Sequence, residues 1–265
     1  MKKKNFSALL IICLICLVGN VLTYSQTNQV SNGNNIDKGD FKVGLSANHR
    51  QKYPKGVLSP MSKDFMQPIA DELNKIVALP YDIYLAFTKC GEVNAFYWGY
   101  TRQITICEEF VENIYKTLRP VYKEGAELDD AVINVIQLVF FHELGHCLID
   151  VWDLPATGRE EDAVDQLAVV LSLDGTDEGD DVVLTAAILH NINSTESDMP
   201  FWDEHSFDKQ RFYNLLCYTY GSNPEKNKDL VGGDLLPKER AVRCPEEYKR
   251  ADRAWERLLT PYLKS

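Results

Sequence analysis

The pattern of hydrophobic and polar positions changes along the chain from a strand-rich region to a longer helical one. Apolar positions at helical spacing over residues 62–77 predict a first helix, with Ser62 placed as its N-cap. Stretches rich in β-formers then predict three strands, at residues 81–87, 94–97 and 103–107. After them, helical periodicity predicts six helices, at residues 108–118, 131–151, 159–171, 182–192, 207–220 and 245–259. This order indicates an α+β fold in which a small N-terminal strand region precedes a mainly helical part.

The N-terminal residues have the pattern of a targeting segment. Three lysines follow Met1, residues 8–22 are almost wholly apolar, and small residues then provide a cleavage site before Gln26. We therefore expect residues 1–25 to be a cleaved signal peptide, the alternative being an uncleaved anchor that would be the chain's only membrane attachment. Residues 26–55 are polar and aperiodic, which predicts a flexible leader. Without an internal repeat or a dividing linker, residues 56–265 are expected to form a single domain.

The charge balance argues against a nucleic-acid partner. The chain has 28 basic and 39 acidic side chains, a formal net charge of −11. Loss of the three lysines with the signal peptide makes the mature chain still more acidic. Proteins that bind phosphate backbones need clustered Lys and Arg, so a nucleic-acid binder is excluded. The predicted signal peptide, in turn, makes the periplasm or the extracellular space the expected location.

The cysteines fit an exported chain. Of seven, Cys13 and Cys16 lie in the predicted signal, which leaves five where disulfides persist. An odd number leaves at least one free thiol, and Cys147, within the strongest helical pattern, is the candidate. The four other cysteines are disulfide candidates with three possible connectivities: Cys90 and Cys107 flank an extended stretch and could close a hairpin, and Cys217 and Cys244 both lie beside helical patterns.

The residues 142–146 form the pattern His-Glu-x-x-His inside the predicted helix 131–151. Positions four apart lie one above the other on a helix, so His142 and His146 present their imidazoles to one point. Neutral imidazoles suit Zn²⁺, and Glu143, turned away by about 100°, can accept a proton from a water molecule there. The motif follows a strongly apolar run, where polar side chains without partners would be costly. A surface helix turn with a simple Glu–His contact fits this context poorly.

A catalytic zinc needs a third protein ligand and an open position. An acidic helix start at residues 159–165 follows a Pro/Gly turn, and a helix–turn–helix return would bring it back over the histidines. Glu161 and Asp165 are four apart and share one face, so Glu161 can bind the metal while Asp165 accepts the other ring N–H of a histidine. Acids at a helix start also complement the helix dipole, which explains Glu160 and Asp162.

These residues carry a family resemblance. The motif 142–146 followed by Glu161 and Asp165 resembles the gluzincin type of zinc metallopeptidase, and more closely a little-characterised bacterial family of exported metallopeptidases. The likeness extends over most of the mature chain and includes residues 90–91, 94–97, 203–205, 210–214, 217 and 243–244. It implies a zincin-like fold, with His142, His146 and Glu161 as ligands of one Zn²⁺ and Glu143 as general base. It also implies that Asp165 contacts a ligand rather than the metal. The gap between His146 and Glu161 is shorter than in thermolysin-like enzymes, so the connection must be tight. No third histidine follows at metzincin spacing.

Three further histidines lie outside the motif. His205 follows Asp203 just before a predicted helix, and such a pair can donate a hydrogen bond to a developing oxyanion, although a histidine there can also be a cap or a surface residue. His190 lies among apolar residues and is expected to be a core histidine. His49 falls in the leader and is expected to be inert.

The sequence thus predicts an exported zinc metallopeptidase that acts on peptide or protein substrates. An extended substrate could pair with an edge strand at residues 94–97, or the aromatic residues there could pack on the helix of the motif. The first alternative function is a zinc-stabilised binding or structural domain of the cell envelope without catalysis. The second is a metal-dependent amidase that acts on cell-wall peptides.

Overall fold

The described residues form a mixed four-stranded sheet early in the sequence. The computed structural model describes residues 36–48, 59, 62–194 and 204–264. The strands are β1 (Phe41–Val43), β2 (Ile83–Thr88), β3 (Ala95–Trp98) and β4 (Gln103–Cys107), in the spatial order β1-β2-β4-β3. β2 is parallel to both of its neighbours, whereas β3 runs antiparallel to β4 and forms an edge. The two central strands are largely buried on both faces, which places the core along β2 and β4.

A helical element packs beside the sheet. One π-helical turn, Ser62–Met66, leads into α1 (Gln67–Ile76). The side-chain amide of Asn74 on α1 accepts a hydrogen bond from the backbone N–H of Phe41 at 2.7 Å and donates to its carbonyl at 2.9 Å. This pair of bonds attaches β1 to α1 and gives a three-residue strand a defined place.

Seven further helices follow the sheet within the described residues. They are α2 (Glu108–Leu118), α3 (Ala126–Trp152), α4 (Glu160–Ser172), α5 (Asp177–Asn193), α6 (Asp208–Ser222), the short α7 (Lys238–Ala241) and α8 (Cys244–Leu259). Short 3₁₀ turns occur at Lys228–Leu230 and Thr260–Tyr262. The described chain is therefore α+β, with a small sheet early in the sequence and helices after it, as the sequence predicted.

The chain divides into two compact units. The sheet unit contains the described residues up to Val111, together with 146–155 and those from Trp255 onwards. Within it, Trp152 stacks on Tyr262, with ring centroids 4.3 Å apart, and the backbone N–H of Lys264 donates to the carbonyl of Ile76. The helical unit contains residues 112–145 and 156–254. The C-terminal residues thus return to the sheet unit.

Three local predictions need correction. Ser62 does not cap a helix: it is buried, and its hydroxyl accepts from the N–H of Phe87 and donates to the carbonyl of the same residue. α5 begins at Asp177, within the stretch expected to be a loop, because the Thr176 hydroxyl caps it by accepting from the N–H of Gly179. Part of the expected flexible leader is also ordered, since β1 lies within residues 26–55. The predicted signal peptide lies outside the described residues, and the single-domain boundary remains a prediction.

Two disulfides occur in the described chain, one in each unit. Cys90 is bonded to Cys107 in the sheet unit, and Cys217 is bonded to Cys244 in the helical unit. These are the two pairs that the sequence favoured, one because it flanks an extended stretch and the other because both cysteines lie beside helical patterns. Cys147 is the free cysteine among the described residues and is fully buried, as expected. The bridges are compatible with export to an oxidising compartment.

The helix α3 is unusually apolar. It is the one helix in the described part of the chain that is long and apolar enough to cross a membrane by length and composition. However, 78% of its most apolar stretch is buried inside the protein. Burial of this kind is typical of the core helix of a folded domain.

Candidate metal centre

The motif 142–146 lies in the second half of α3. Phe140 and Phe141 immediately before it are fully buried, and they fix the rotation of the helix by packing into the core. His142 is 8% exposed, and His146 lies one helical turn further along at a half-buried position. Glu143 is 7% exposed, so a carboxylate is also held largely away from bulk solvent. The apolar helix thus places three titratable side chains in a mostly buried setting.

Helix α4 lies very close to α3 at the motif. A β-carbon on Gly145 would stand only 2.8 Å from the β-carbon and from Cγ1 of Val164. Real β-carbons essentially never show such a short contact, so only glycine allows this approach. Gly145 leaves room between the two histidines, and Val164 occupies it. The close approach brings the acidic first turn of α4 to the histidines.

Two imidazoles and one carboxylate meet at this point. One ligand atom from each of His142, His146 and Glu161 lies within 4.8 Å of the others. The Nε2 atom of His142 is 3.1 Å from Oε2 of Glu161. Two ligands bonded to one tetrahedral zinc ion at about 2.0–2.1 Å stand roughly 3.3 Å apart, so the spacing of this pair fits a shared cation. Two nitrogen donors and one oxygen donor are also the donor set of a catalytic zinc site.

Asp165 supports the first histidine. The Nδ1–H of His142 donates to Oδ1 of Asp165 at 2.7 Å, which leaves Nε2 of the same ring directed toward Glu161. Arg211 on α6 binds the same carboxylate through two nitrogens: Nε lies 2.9 Å from Oδ2, and the terminal Nη2 lies 2.6 Å from Oδ1. A two-point guanidinium–carboxylate contact fixes the carboxylate plane as well as its position. Asp165 is therefore held from one side by Arg211 and holds His142 on the other.

The charges of this group shift the pKa values in opposite directions. Burial alone would raise the pKa of Asp165, but the charge of Arg211 and the hydrogen bond from His142 hold it well below its usual range. Burial would lower the pKa of His142, but in the metal-free chain its hydrogen bonds with Asp165 and Glu161 outweigh this effect and raise its pKa to about 9. The site thus stabilises positive charge at the position where a cation would lie.

His205 also reaches this site. Its Nε2 lies 3.2 Å from Oε2 of Glu161, and its side chain is 40% exposed. The neighbouring Ser206 donates from its hydroxyl to Oδ1 of Asp162 at 2.7 Å. Asp203, the expected partner of His205, lies outside the described residues, as does His49.

His190 lies elsewhere in the helical unit. Its Nδ1–H donates to Oδ1 of Asp208 at 2.6 Å, and the ring is mostly buried. Burial and the positive charge of Arg211 lower its pKa, so the imidazole is neutral. This arrangement matches the expected core histidine, here with a buried hydrogen-bond partner.

One aromatic residue of β3, Tyr97, contacts the end of α3 within the sheet unit. The Tyr97 hydroxyl donates to Oδ2 of Asp150 at 2.7 Å, and Gly99 allows the same carboxylate to approach the turn after β3. Phe96 and Trp98 pack edge to face, and Trp98 remains partly exposed. Contact with the motif helix is therefore shown for Tyr97, and pairing of a substrate with residues 94–97 stays a prediction.

Sequence reasoning gave no role to two residues of this site. Arg211 lies within a stretch that carries the resemblance, and no pattern in the sequence indicates a role for Ser206. Both act through partners more than 40 residues away in sequence, which no local pattern indicates. The weak signal available was an acidic residue at 208 followed one turn later by Arg211 at the start of a predicted helix.

Comparison with known proteins identifies a family for most of the chain. The model of family DUF4344, described as "Putative metallopeptidase", matches residues 47–259. The match spans α3, α4 and the segment that contains His205 and Arg211. No curated protein and no solved structure matches the chain significantly.

Proposed function

We propose that this chain, which belongs to the DUF4344 family of metallopeptidases, is an exported zinc-dependent hydrolase of peptide bonds with a zincin-like fold. The observation that carries the proposal is the meeting of His142, His146 and Glu161, whose ligand atoms lie within 4.8 Å of one another. The family implies a metal, and the nitrogen and oxygen donors favour zinc. The substrates would be peptides or proteins.

The first role belongs to the three ligands and their support. His142, His146 and Glu161 would hold the ion, with Asp165 fixing the ring of His142 so that Nε2 is the metal-binding nitrogen. Zinc bound there supplies Lewis acidity toward a scissile carbonyl and toward a water molecule. Arg211 keeps Asp165 ionised and oriented.

The second role belongs to Glu143. Its carboxylate follows His142 on α3 and is mostly buried, a setting that favours proton transfer over simple solvation. As general base it accepts a proton from the attacking water and then passes this proton to the leaving amine. A metal site with a purely structural role would not require a carboxylate between its two histidines.

The third role belongs to His205. Its half-exposed imidazole stands next to Glu161 and can donate a hydrogen bond to the oxygen on which negative charge develops. Asp203 stays the partner that the sequence predicts for this ring. The disulfides are compatible with an exported enzyme, and the signal-like N-terminal sequence supports the same location.

The test combines metal analysis with one substitution. Protein produced in an oxidising compartment should contain one zinc per chain and cleave members of a quenched fluorescent peptide library. Glu143→Gln should keep the zinc and lose at least about 100-fold in kcat, the contribution typical of a positioned general base. The matched control is Glu127→Gln, an exposed glutamate in the first turn of the same helix, which should leave both unchanged.

Two results would overturn the proposal. The first is protein without stoichiometric zinc after metal-replete purification, and the second is undiminished hydrolysis by Glu143→Gln. Stoichiometric zinc in a wild-type chain that cleaves no peptide would instead support the non-catalytic envelope domain. Activity limited to cell-wall peptides would identify the amidase.

A further inference from the structure

The segment that enters α6 is fixed to α4 by a buried hydroxyl. Ser206 is 6% exposed, and its Oγ donates to Oδ1 of Asp162 in the first turn of α4 at 2.7 Å. The acceptor is a carboxylate, which makes this a charge-assisted bond and stronger than a bond between neutral groups. Asp162 was expected only to complement the helix dipole, so the contact gives it a specific partner.

The residues that precede Ser206 and Asp162 also meet. His205 directly precedes Ser206, just as Glu161 directly precedes Asp162. The Nε2 atom of His205 lies 3.2 Å from Oε2 of Glu161. Adjacent residues of the entering segment therefore engage adjacent residues of α4. Because Ser206 is joined to His205 by one peptide bond, the serine contact restricts where the imidazole can lie.

The beginning of α6 itself is held by other contacts. Asp208 accepts from His190 on α5 at 2.6 Å, and Arg211 binds Asp165 through two nitrogens. These contacts place the first turn of α6 but lie three or more residues beyond His205. Loss of the Ser206 hydroxyl should consequently leave the helix in place and free mainly the residues just before it.

We propose that Ser206 and Asp162 are positioning residues that hold the His205 imidazole beside Glu161. Neither residue touches the reacting atoms in this arrangement; they act through His205. The hydrogen bond between them fixes the backbone of the entering segment, and the segment fixes the ring. The consequence for catalysis rests on the proposed peptidase function, whereas the placement of the ring does not.

The placement can be measured in metal-free protein. Diethyl pyrocarbonate modifies accessible imidazole nitrogens, and mass spectrometry reports the rate at His205 separately from other histidines. Ser206→Ala should raise the rate at His205 roughly five-fold or more, as expected for the loss of one charge-assisted hydrogen bond. Ser206→Thr, which keeps the hydroxyl, should restore a rate close to that of the wild type.

The matched control lies at the far end of α6. Ser222 donates to the carbonyl of Thr219, and Ser222→Ala should leave the rate at His205 unchanged. Asp162→Ala provides a second variant that removes the acceptor instead of the donor, in case Ser206→Ala folds poorly, and it should have the same effect. Wild-type modification rates at His205 in both variants would overturn the proposal.

The effect on hydrolysis gives a second readout. In zinc-loaded protein, Ser206→Ala should lower kcat about ten-fold at unchanged KM and unchanged zinc content, because an oxyanion donor acts in the transition state. A fall in zinc content together with a changed KM would show a general structural role and contradict the proposal. If the chain proves not to be a peptidase, the modification rates still decide whether Ser206 positions His205.

Discussion

Gly145 on α3 and Val164 on α4 are in such close contact that a β-carbon at position 145 would lie 2.8 Å from the Val164 side chain. Val164 is fully buried and follows Glu161 by less than one helical turn. The separation of the two helices at this point is therefore set by the absence of a side chain between the two histidines. Glu161 can reach the histidines because the helices come this close.

Gly145→Ala should accordingly destabilise the protein. Overpacking of a tight contact typically costs about 1–3 kcal/mol, and here it outweighs the better helix propensity of alanine. The midpoint of urea unfolding measures the loss. In metal-replete buffer the same variant should bind zinc more weakly, since α4 must move away from α3.

The control for this substitution is Gly158→Ala. No atom lies within 4 Å of a β-carbon built at Gly158, and its backbone is not in the left-handed region. We expect a change within about 1 kcal/mol, with either sign. Equal destabilisation by both variants would refute the steric explanation.

Asp165→Asn should weaken zinc binding. The amide keeps the shape of the carboxylate but removes the charge that Arg211 and His142 share. Loss of such a partner of a metal-binding histidine typically costs 10- to 100-fold in affinity. Competition with a chromogenic chelator gives the dissociation constant. Glu160→Gln removes the same charge from an exposed position at the start of the same helix and should leave the dissociation constant unchanged. Equal dissociation constants for the two variants would contradict the role of Asp165.

The neutral His190 should make stability depend on pH. Its pKa is lowered by burial and by Arg211, against the opposing effect of Asp208 and the more distant Asp165, so the unfolded chain binds a proton that the folded chain does not. Stability from this residue is complete above the unfolded pKa of about 6.5 and declines as the pH falls below it.

His190→Gln tests this dependence. Urea unfolding of metal-free protein between pH 5 and pH 8 should show a smaller loss of stability at the acidic end in the variant than in the wild type. The comparison of two chains cancels the contribution of all other titrating groups. Parallel pH profiles would show that His190 binds a proton equally well in both states.

The disulfides should contribute similar free energies to folding. Their sequence separations are 17 residues for Cys90–Cys107 and 27 for Cys217–Cys244. Loop-closure entropy then gives about 3 and about 3.5 kcal/mol, respectively. Double serine variants of each pair, measured by guanidinium unfolding, provide these values. Cys147→Ala breaks no disulfide and should lower the free energy of unfolding by less than either double variant does. If removal of a disulfide lowers it no more than Cys147→Ala, that disulfide does not stabilise the fold.

Local patterns were sufficient for much of this fold. The predicted helix 108–118 coincides with α2, and the spacing of two histidines and of Glu161 with Asp165 selected residues that the structure brings together. These features depend on interactions within one or two helical turns. Such interactions repeat with a fixed period, and a single sequence displays that period directly.

Other features depended on distant partners. Ser62 was expected to cap a helix, but its hydroxyl binds the backbone of Phe87, and Arg211 acquires a role only from Asp165, 46 residues away. β1 is three residues long, too short to show alternation, and is defined by pairing with β2. Only the folded chain brings these partners together, so no local pattern could have indicated them.

The burial of Cys147 has a practical use. It follows His146 directly, and burial raises the pKa of its thiol, so the folded protein should be inert to maleimides and iodoacetamide. In a chain that begins after the predicted cleavage site, with both bridges formed, labelling would then occur only when the end of α3 opens. The rate of thiol labelling would report the opening of the metal-binding helix without any introduced probe.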